Sequence, residues 1–442
     1  MFVFRPIAAD VLSPAPTQSR TGVAWSAAWG RAGLVALFAL VLALRMPGVL
    51  HGRLWAEDGL FLLDALRLPW WQALVAPHTG YIDMVASTIM LIATRTALLE
   101  YAPLVSVALS LAVQCLPAML LATSRIAWLD KPAHLAVALA MLAFVPLSEE
   151  VWLSPITLQY HLIVCVGIVL ADQPRRGWVG WLQNAVLLAG PLAGPGPSLI
   201  GPLFFCRASI DRTGARWLQA ALISAGTLVQ LAVLATHPEP HRAIGVMPDL
   251  LLLVVWVKHV LVPLFGRAEA IDLAQGIAPA YVGSIGSDFT QLWIAGFGAA
   301  AALLAMGVAV WRSPHREVRW LYAAGLLAMV LSYVGALGGK ADLIGVMFGQ
   351  RYAVAPQMLF GLALVGLATG RPSSGSGGVG RSVAMGLVAW LLVVGAHEYT
   401  WVEPRMAHGP SWRAQVLAWR AEPAGPILLW PPSFRIVLPP DR

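Results

Sequence analysis

Apolar runs of about 15–22 residues follow one another along most of this chain, the first from Ala32 to Leu50, without strict polar alternation. Lipid offers no water to satisfy backbone polar groups, so a chain facing it must form helices or a closed barrel. Run length and the missing alternation favour helices. Only 12% of the 442 residues are charged, against about 25% in a soluble domain, and 58% are hydrophobic. The expected fold is an all-α polytopic membrane protein of about 10–12 membrane helices, broken or re-entrant segments included, with a small C-terminal periplasmic tail.

Six short segments carry most of the arginine: the N-terminal tail, Arg125–Lys131, Arg175–Arg176, Arg207–Arg216, Arg312–Arg319 and Arg371–Arg381. They hold 15 basic residues, and the acids in or beside them are five: Asp10, Asp130, Asp172, Asp211 and Glu317. Short basic loops face the cytoplasm, so the net charge of +7 reads as a topology signal. A nucleic-acid surface would gather its cations with aromatics on one soluble face; the pattern excludes that partner. Residues 1–31 have no apolar core and read as a cytoplasmic tail rather than a cleavable signal. Cys115, Cys165 and Cys206 show neither disulfide nor zinc spacing and read as small core residues.

This parity organises the rest. Residues 32–396 form the membrane domain, with outside segments at 51–80, 148–156, 236–290 and 340–352, and residues 397–442 a periplasmic appendage. Of Tyr81–Leu99 and Ala102–Thr123 only one can cross fully; Asp83 and Arg95 make the first the partial one. Ala185–Phe205 is interrupted by Gly190-Pro191 and Gly194-Pro195-Gly196-Pro197 with basic residues on both flanks, which predicts two half-helices entering and leaving by the same side. Leu250–Phe265, carrying Lys258 and His259, reads as a helix at the interface, the pair contacting lipid headgroups or, alternatively, a lipid phosphate. Arg371–Gly378 is a flexible linker. Ser411 can cap a short helix that puts Trp412, Val416 and Trp419 on one face, and two short strands follow around Pro431-Pro432.

Adjacent carboxylates, Glu57 and Asp58 in Leu54-Trp55-Ala56-Glu57-Asp58-Gly59, stand just past the first run, at the lipid–water boundary. Charge there is expensive unless wet or functional. A helix start, with Asp58 as cap of Gly59–Leu66, is the plainer reading. Glu149–Glu150 form a second acidic outside loop, followed by Gln159, Tyr160 and His161, which can line a sugar pocket. Lys340 and Arg351 are the basic residues of the late outside loop; Arg351, beside Tyr352, is either a phosphate ligand or a snorkelling anchor. His78-Thr79-Gly80-Tyr81 is a turn with an interfacial tyrosine, or a sugar contact.

In these features the chain resembles the C-type glycosyltransferase (GT-C) superfamily, in a bacterial branch. The resemblance rests on Glu57–Asp58 after the first helix, the amphipathic Leu60–Leu68 behind it, Glu149–Glu150, and Arg351-Tyr352. It extends broadly over the membrane part, and the motif does not distinguish one sugar from another. It implies an inverting hexosyl- or pentosyltransferase of the bacterial inner membrane, multi-pass with its N-terminus cytoplasmic. Such an enzyme moves a sugar from a polyprenyl-phosphate donor to an envelope glycan, lipid or protein on the periplasmic face. By that resemblance Asp58 is the general base and Glu57 orients it or binds the acceptor; acid order varies among relatives, so the roles can be exchanged. Glu150, Gln159, Tyr160, Tyr81 and His78 would bind substrate, and Arg351, Lys340 and Tyr352 the phosphate.

The chemistry fits independently. Transfer to a hydroxyl needs a base and cations where phosphate charge grows, and no strong acid, because phosphate leaves readily. There is no P-loop and no Rossmann glycine pattern, as expected for a sugar delivered on a lipid; no metal site is assigned, and an acid-held divalent ion stays open. A transporter or flippase would instead place its ionisable pairs near mid-membrane and often show repeated halves. A polysaccharide polymerase or ligase would lean on outside arginines, and an inactive scaffold would need none of these groups.

Overall fold

The computed structural model describes residues 21–45, 52–238, 245, 247–283, 289–337, 340–370, 377–402, 409–423 and 425–439. The chain is helical and polytopic. Among the described residues eight helices are long and apolar enough to cross a membrane. The N-terminal tail before Thr21 and most of the Arg371–Gly378 linker lie outside the described residues.

Helix α1 (Thr21–Arg45) leads to two short helices, α2 (Asp58–Arg67) and α3 (Trp70–Val75), and to a hairpin of β1 (Pro77–His78) and β2 (Tyr81–Ile82). Helix α4 (Met84–Thr96) is too short to cross; α5 (Ala102–Gln114) and α6 (Leu116–Thr123) together make a span. Helices α7 (Pro132–Ala143) and α8 (Leu158–Ala171) follow. All of α8 is buried, as its apolarity on every face requires. It is the centre around which the bundle packs.

Helices α9 (Gly177–Leu192) and α10 (Gly201–Asp211) form the expected broken pair, bent by 118°. At the break Gly194 has φ +127°, and a Cβ there would stand 2.6 Å from Gln159 Oε1. Glycine is needed both for the backbone angle and for the close approach. Cys206 was expected in the core but lies exposed on α10.

Next come α11 (Gly214–Thr236) and a helix from Pro248 to Phe265, built of α12 (Pro248–Val255), a π-helical turn and α13 (Val262–Phe265). It is long enough to cross, yet both ends meet the same end of the bundle. Leu250 packs with Leu343, and Gly266 abuts Glu398. It therefore lies across the molecule. Lys258 was expected beside headgroups; instead it is buried and donates to the carbonyls of Gly345, Val346 and Phe348 at 2.8, 3.1 and 2.8 Å. A buried ammonium needs acceptors, and that loop end supplies three.

Helices α14 (Arg267–Ala274), α15 (Ile277–Tyr281), α16 (Thr290–Arg312), α17 (Arg316–Leu337), α18 (Arg351–Thr369) and α19 (Gly377–Thr400) complete the membrane part. The C-terminal appendage is α20 (Trp412–Ala421) with the antiparallel β3 (Ile427–Leu428) and β4 (Arg435–Ile436). Ser411 caps α20 through the Ala414 amide, and Trp412, Val416 and Trp419 are its buried face.

The arginine-rich segments gather at one end. Arg31 donates to Ala122 and Leu129, Arg175 to Thr123, Arg216 to Asp172, and Arg381 to Ala368. Arg207, Arg216 and Arg316 share the carboxylate of Asp211 at 3.1–3.2 Å. Glu57, Asp58, Glu150 and Arg351 lie at the other end, since α18 begins at Arg351 and finishes beside Arg381.

Candidate functional site

Asp58 is the organiser of the acidic loop. It is 1% exposed, and its carboxylate accepts from the Trp55 amide at 2.8 Å, the Ser154 hydroxyl at 3.1 Å and the Ile156 amide at 3.3 Å. It therefore ties residues 53–58 to residues 152–156 rather than capping α2 from outside. Arg53 does the same with a cation, donating to the Trp152 carbonyl at 2.8 Å under the rings of Trp55 and Trp430. Burial pushes the Asp58 carboxyl up to about 7, against the lowering effect of the two amides, Ser154 and Arg53. Burial likewise lowers Arg53 to about 10, with Asp58 opposing.

The raised carboxyl has a stability consequence. Its protonated form is favoured by folding, so this stabilisation is complete below the unfolded value of 3.8 and is lost as pH rises through about 7. The slope in that window is roughly 1.4 kcal/mol per pH unit. Wild type should melt at lower temperature at pH 7 than at pH 5, and Asp58→Asn should flatten that difference. Thermal melts of the purified protein across this range measure it; parallel pH profiles would contradict it.

The C-terminal appendage clasps the same loop. Ala56 N donates to Trp430 O at 2.6 Å, and Trp430 N to Leu54 O at 3.0 Å. Ala56 adopts φ 39°, a left-handed angle that an alanine holds only when its surroundings impose it. Gly59 allows this docking, because a Cβ there would strike Leu429 and Ile436.

Glu57, next to this anchor, is partly buried and its Oε2 has no partner among the described residues. It is within electrostatic reach of both Glu150 and Arg351. Arg351 donates to Glu150 at 2.9 Å, and the pair keeps 29% and 17% side-chain exposure. Burial raises the Glu150 carboxyl, with Arg351 opposing. Gln114 holds this loop by donating to Val151 O at 2.9 Å and accepting from Leu153 N at 3.1 Å.

Aromatic side chains close the floor. Tyr160 and Tyr352 meet edge to face at 5.9 Å, and the Arg351 guanidinium lies 5.5 Å from the Tyr352 ring. Tyr81 is bonded to Thr79 and Gln159, and Gln159 touches the Gly194–Gly196 break. Gln230 of α11 fixes the hairpin to this break by bonding both Ile82 backbone groups and Pro191 O. The tip of the broken pair thus supports the floor from below.

Glu57, Glu150, Gln159, Tyr160, Tyr81, Arg351 and Tyr352 come together, with Asp58 buried behind Glu57. His78 does not join them; it bonds Asp64 at 2.8 Å and its ring meets that of Phe61 at 4.5 Å, tilted by 60°. Lys340 stands exposed at the start of the loop leading to Arg351. Among the described residues no group of three or more His, Cys, Asp or Glu could hold a metal ion.

Sequence reasoning missed several groups. Arg53, five residues before Asp58, was available as a nearby cation. Arg267 was not: it reaches Glu149, bonds Glu398 through its amide at 2.9 Å, and stacks on Trp401 at 3.6 Å. Arg45, also buried, lies 4.9 Å from the Tyr399 ring. Nothing local in the sequence marks a partnership this distant along the chain.

Comparison with protein-family models, with curated proteins and with solved structures returned no match. The site is therefore read from its own geometry.

Proposed function

We propose that the protein is a GT-C-like inverting glycosyltransferase acting on the face opposite its basic end, the periplasmic face of an inner membrane. The observation that carries this reading is a buried carboxylate oxygen of Glu57, without a partner among the described residues, within electrostatic reach of the partly exposed Glu150–Arg351 pair on an aromatic floor. In this reading Glu57 takes the proton from the acceptor hydroxyl. The freed oxygen attacks the anomeric carbon, the bond from that carbon to the phosphate oxygen breaks, and polyprenyl phosphate leaves. Arg351 balances the charge that grows on phosphate. Asp58, already saturated by donors, holds the loop that aims Glu57.

Glu150, Gln159, Tyr160 and Tyr81 form the sugar-facing wall, and the acceptor is an envelope glycan, lipid or protein. A flippase for lipid-linked sugars draws on the same broken pair α9–α10. It requires no unpartnered acid beside the arginine.

The direct test is binding. Purified wild type should bind polyprenyl phosphate, and Arg351→Ala should bind it about 10–100-fold more weakly, the loss expected for charge-assisted bonds. Equal affinity of the two proteins would remove Arg351 as phosphate ligand.

A further inference from the structure

Below the transverse helix the bundle contains a cavity of about 950 Å³, at the upper end of the ~300–1,000 Å³ common for ligand sites. Its walls come from α7, α16, α18 and α19, and its roof is the stretch from Val255 to Leu264. The lining is apolar for most of its depth and contains no carboxylate. Its arginines, Arg312 and Arg381, lie at the basic end together with His315, while His259 at the roof end is bonded to the Tyr333 hydroxyl at 3.0 Å. His315 Nε2 is buried without a partner among the described residues, and its ring fits against bare Gly370. Arg381 uses its Nε on Ala368 O, leaving its terminal nitrogens for another acceptor.

The outer end is organised differently. The roof helix covers it, and the cation just beyond, Arg267, is already engaged by Glu149 and Glu398. Helix α18 runs from the Glu150–Arg351 pair to the His315–Arg381 end over 19 residues, a rise of about 28 Å. A lipid whose phosphate reached Arg351 could not have its head among Arg312, His315 and Arg381.

We propose that this cavity holds one anionic glycerophospholipid from the leaflet at the basic end. Its phosphate is held by Arg312, Arg381 and His315, and its acyl chains fill the space between α16, α18 and α19. Charge complementarity selects the occupant: an anion at one end only, hydrocarbon along the rest. The lipid joins α16 to the α18–α19 pair, acting as a structural ligand separate from any donor used at the other end.

The test is lipid retention by the full chain, purified in mild detergent, washed free of loose lipid and examined by native mass spectrometry. Wild type should keep one phosphatidylglycerol-type lipid and exchange it poorly for phosphatidylcholine. Arg312→Ala with Arg381→Ala should weaken retention at least about tenfold, the loss expected when two basic groups facing a lipid headgroup are removed. Leu387→Trp, which narrows the cavity and leaves both arginines, should weaken retention as well and keeps the test open should the double variant fold poorly. Retention of polyprenyl phosphate instead, retention by neither lipid, or variants that hold the phospholipid like wild type would each overturn the proposal. The outcome is independent of Arg351→Ala binding at the opposite end.

Discussion

Arg267→Ala should destabilise the protein by about 3–5 kcal/mol, the usual cost of removing one partner from a buried ion pair. Glu149 is fully buried and Glu398 nearly so, and Arg267 serves both. Its guanidinium also packs on Trp401 at 3.6 Å, so truncation loses stacking as well as charge. Arg45 stays within electrostatic reach of both carboxylates but makes no hydrogen bond to either among the described residues. The loss should appear as a lower melting temperature in detergent. Combining Arg267→Met with Glu149→Gln should recover a large part of it, because two neutral groups leave less charge stranded. A melting temperature unchanged in Arg267→Ala would contradict the buried network.

The second large effect concerns turnover. Glu57→Gln should reduce transfer by about 10²–10⁴, the range for losing a general base, while the protein folds and binds lipid phosphate as before. Asp58→Asn should act differently. Its single amide oxygen can accept from the Trp55 or the Ile156 amide but not from both, so the loop is loosened rather than lost and the loss of turnover is smaller. Comparing the two variants separates the proton acceptor from the group that positions it. If Asp58→Asn is the inactive one and Glu57→Gln retains activity, the two roles are reversed.

Much of this architecture was legible because lipid imposes simple rules. Runs without charge became helices, the Gly/Pro cluster at residues 190–197 became a sharp break, and Ser411 became a cap. The basic segments gathered at one end because each would be costly elsewhere. Tertiary pairing was not legible. Lys258 looked like an interfacial cation, since nothing nearby in the chain announces the carbonyls of residues 345–348 that receive it. Glu57 and Asp58 are adjacent in sequence, yet their environments diverge through contacts with Ser154 and Trp430, roughly a hundred and several hundred residues away. Periodicity carries no information about such partners.

The central claim is that the Glu57 carboxylate, one oxygen of which has no partner among the described residues, acts with the Arg351 guanidinium at the end away from the arginine clusters to move a sugar off a lipid phosphate. Mass spectrometry of lipid-linked sugars from cells lacking the protein, complemented with wild type or Glu57→Gln, addresses it most directly. Cells carrying Glu57→Gln at normal protein level should accumulate one polyprenyl-phosphate sugar and lack that sugar in their envelope glycans. Identical lipid-linked sugars and glycans in the two strains would contradict the claim.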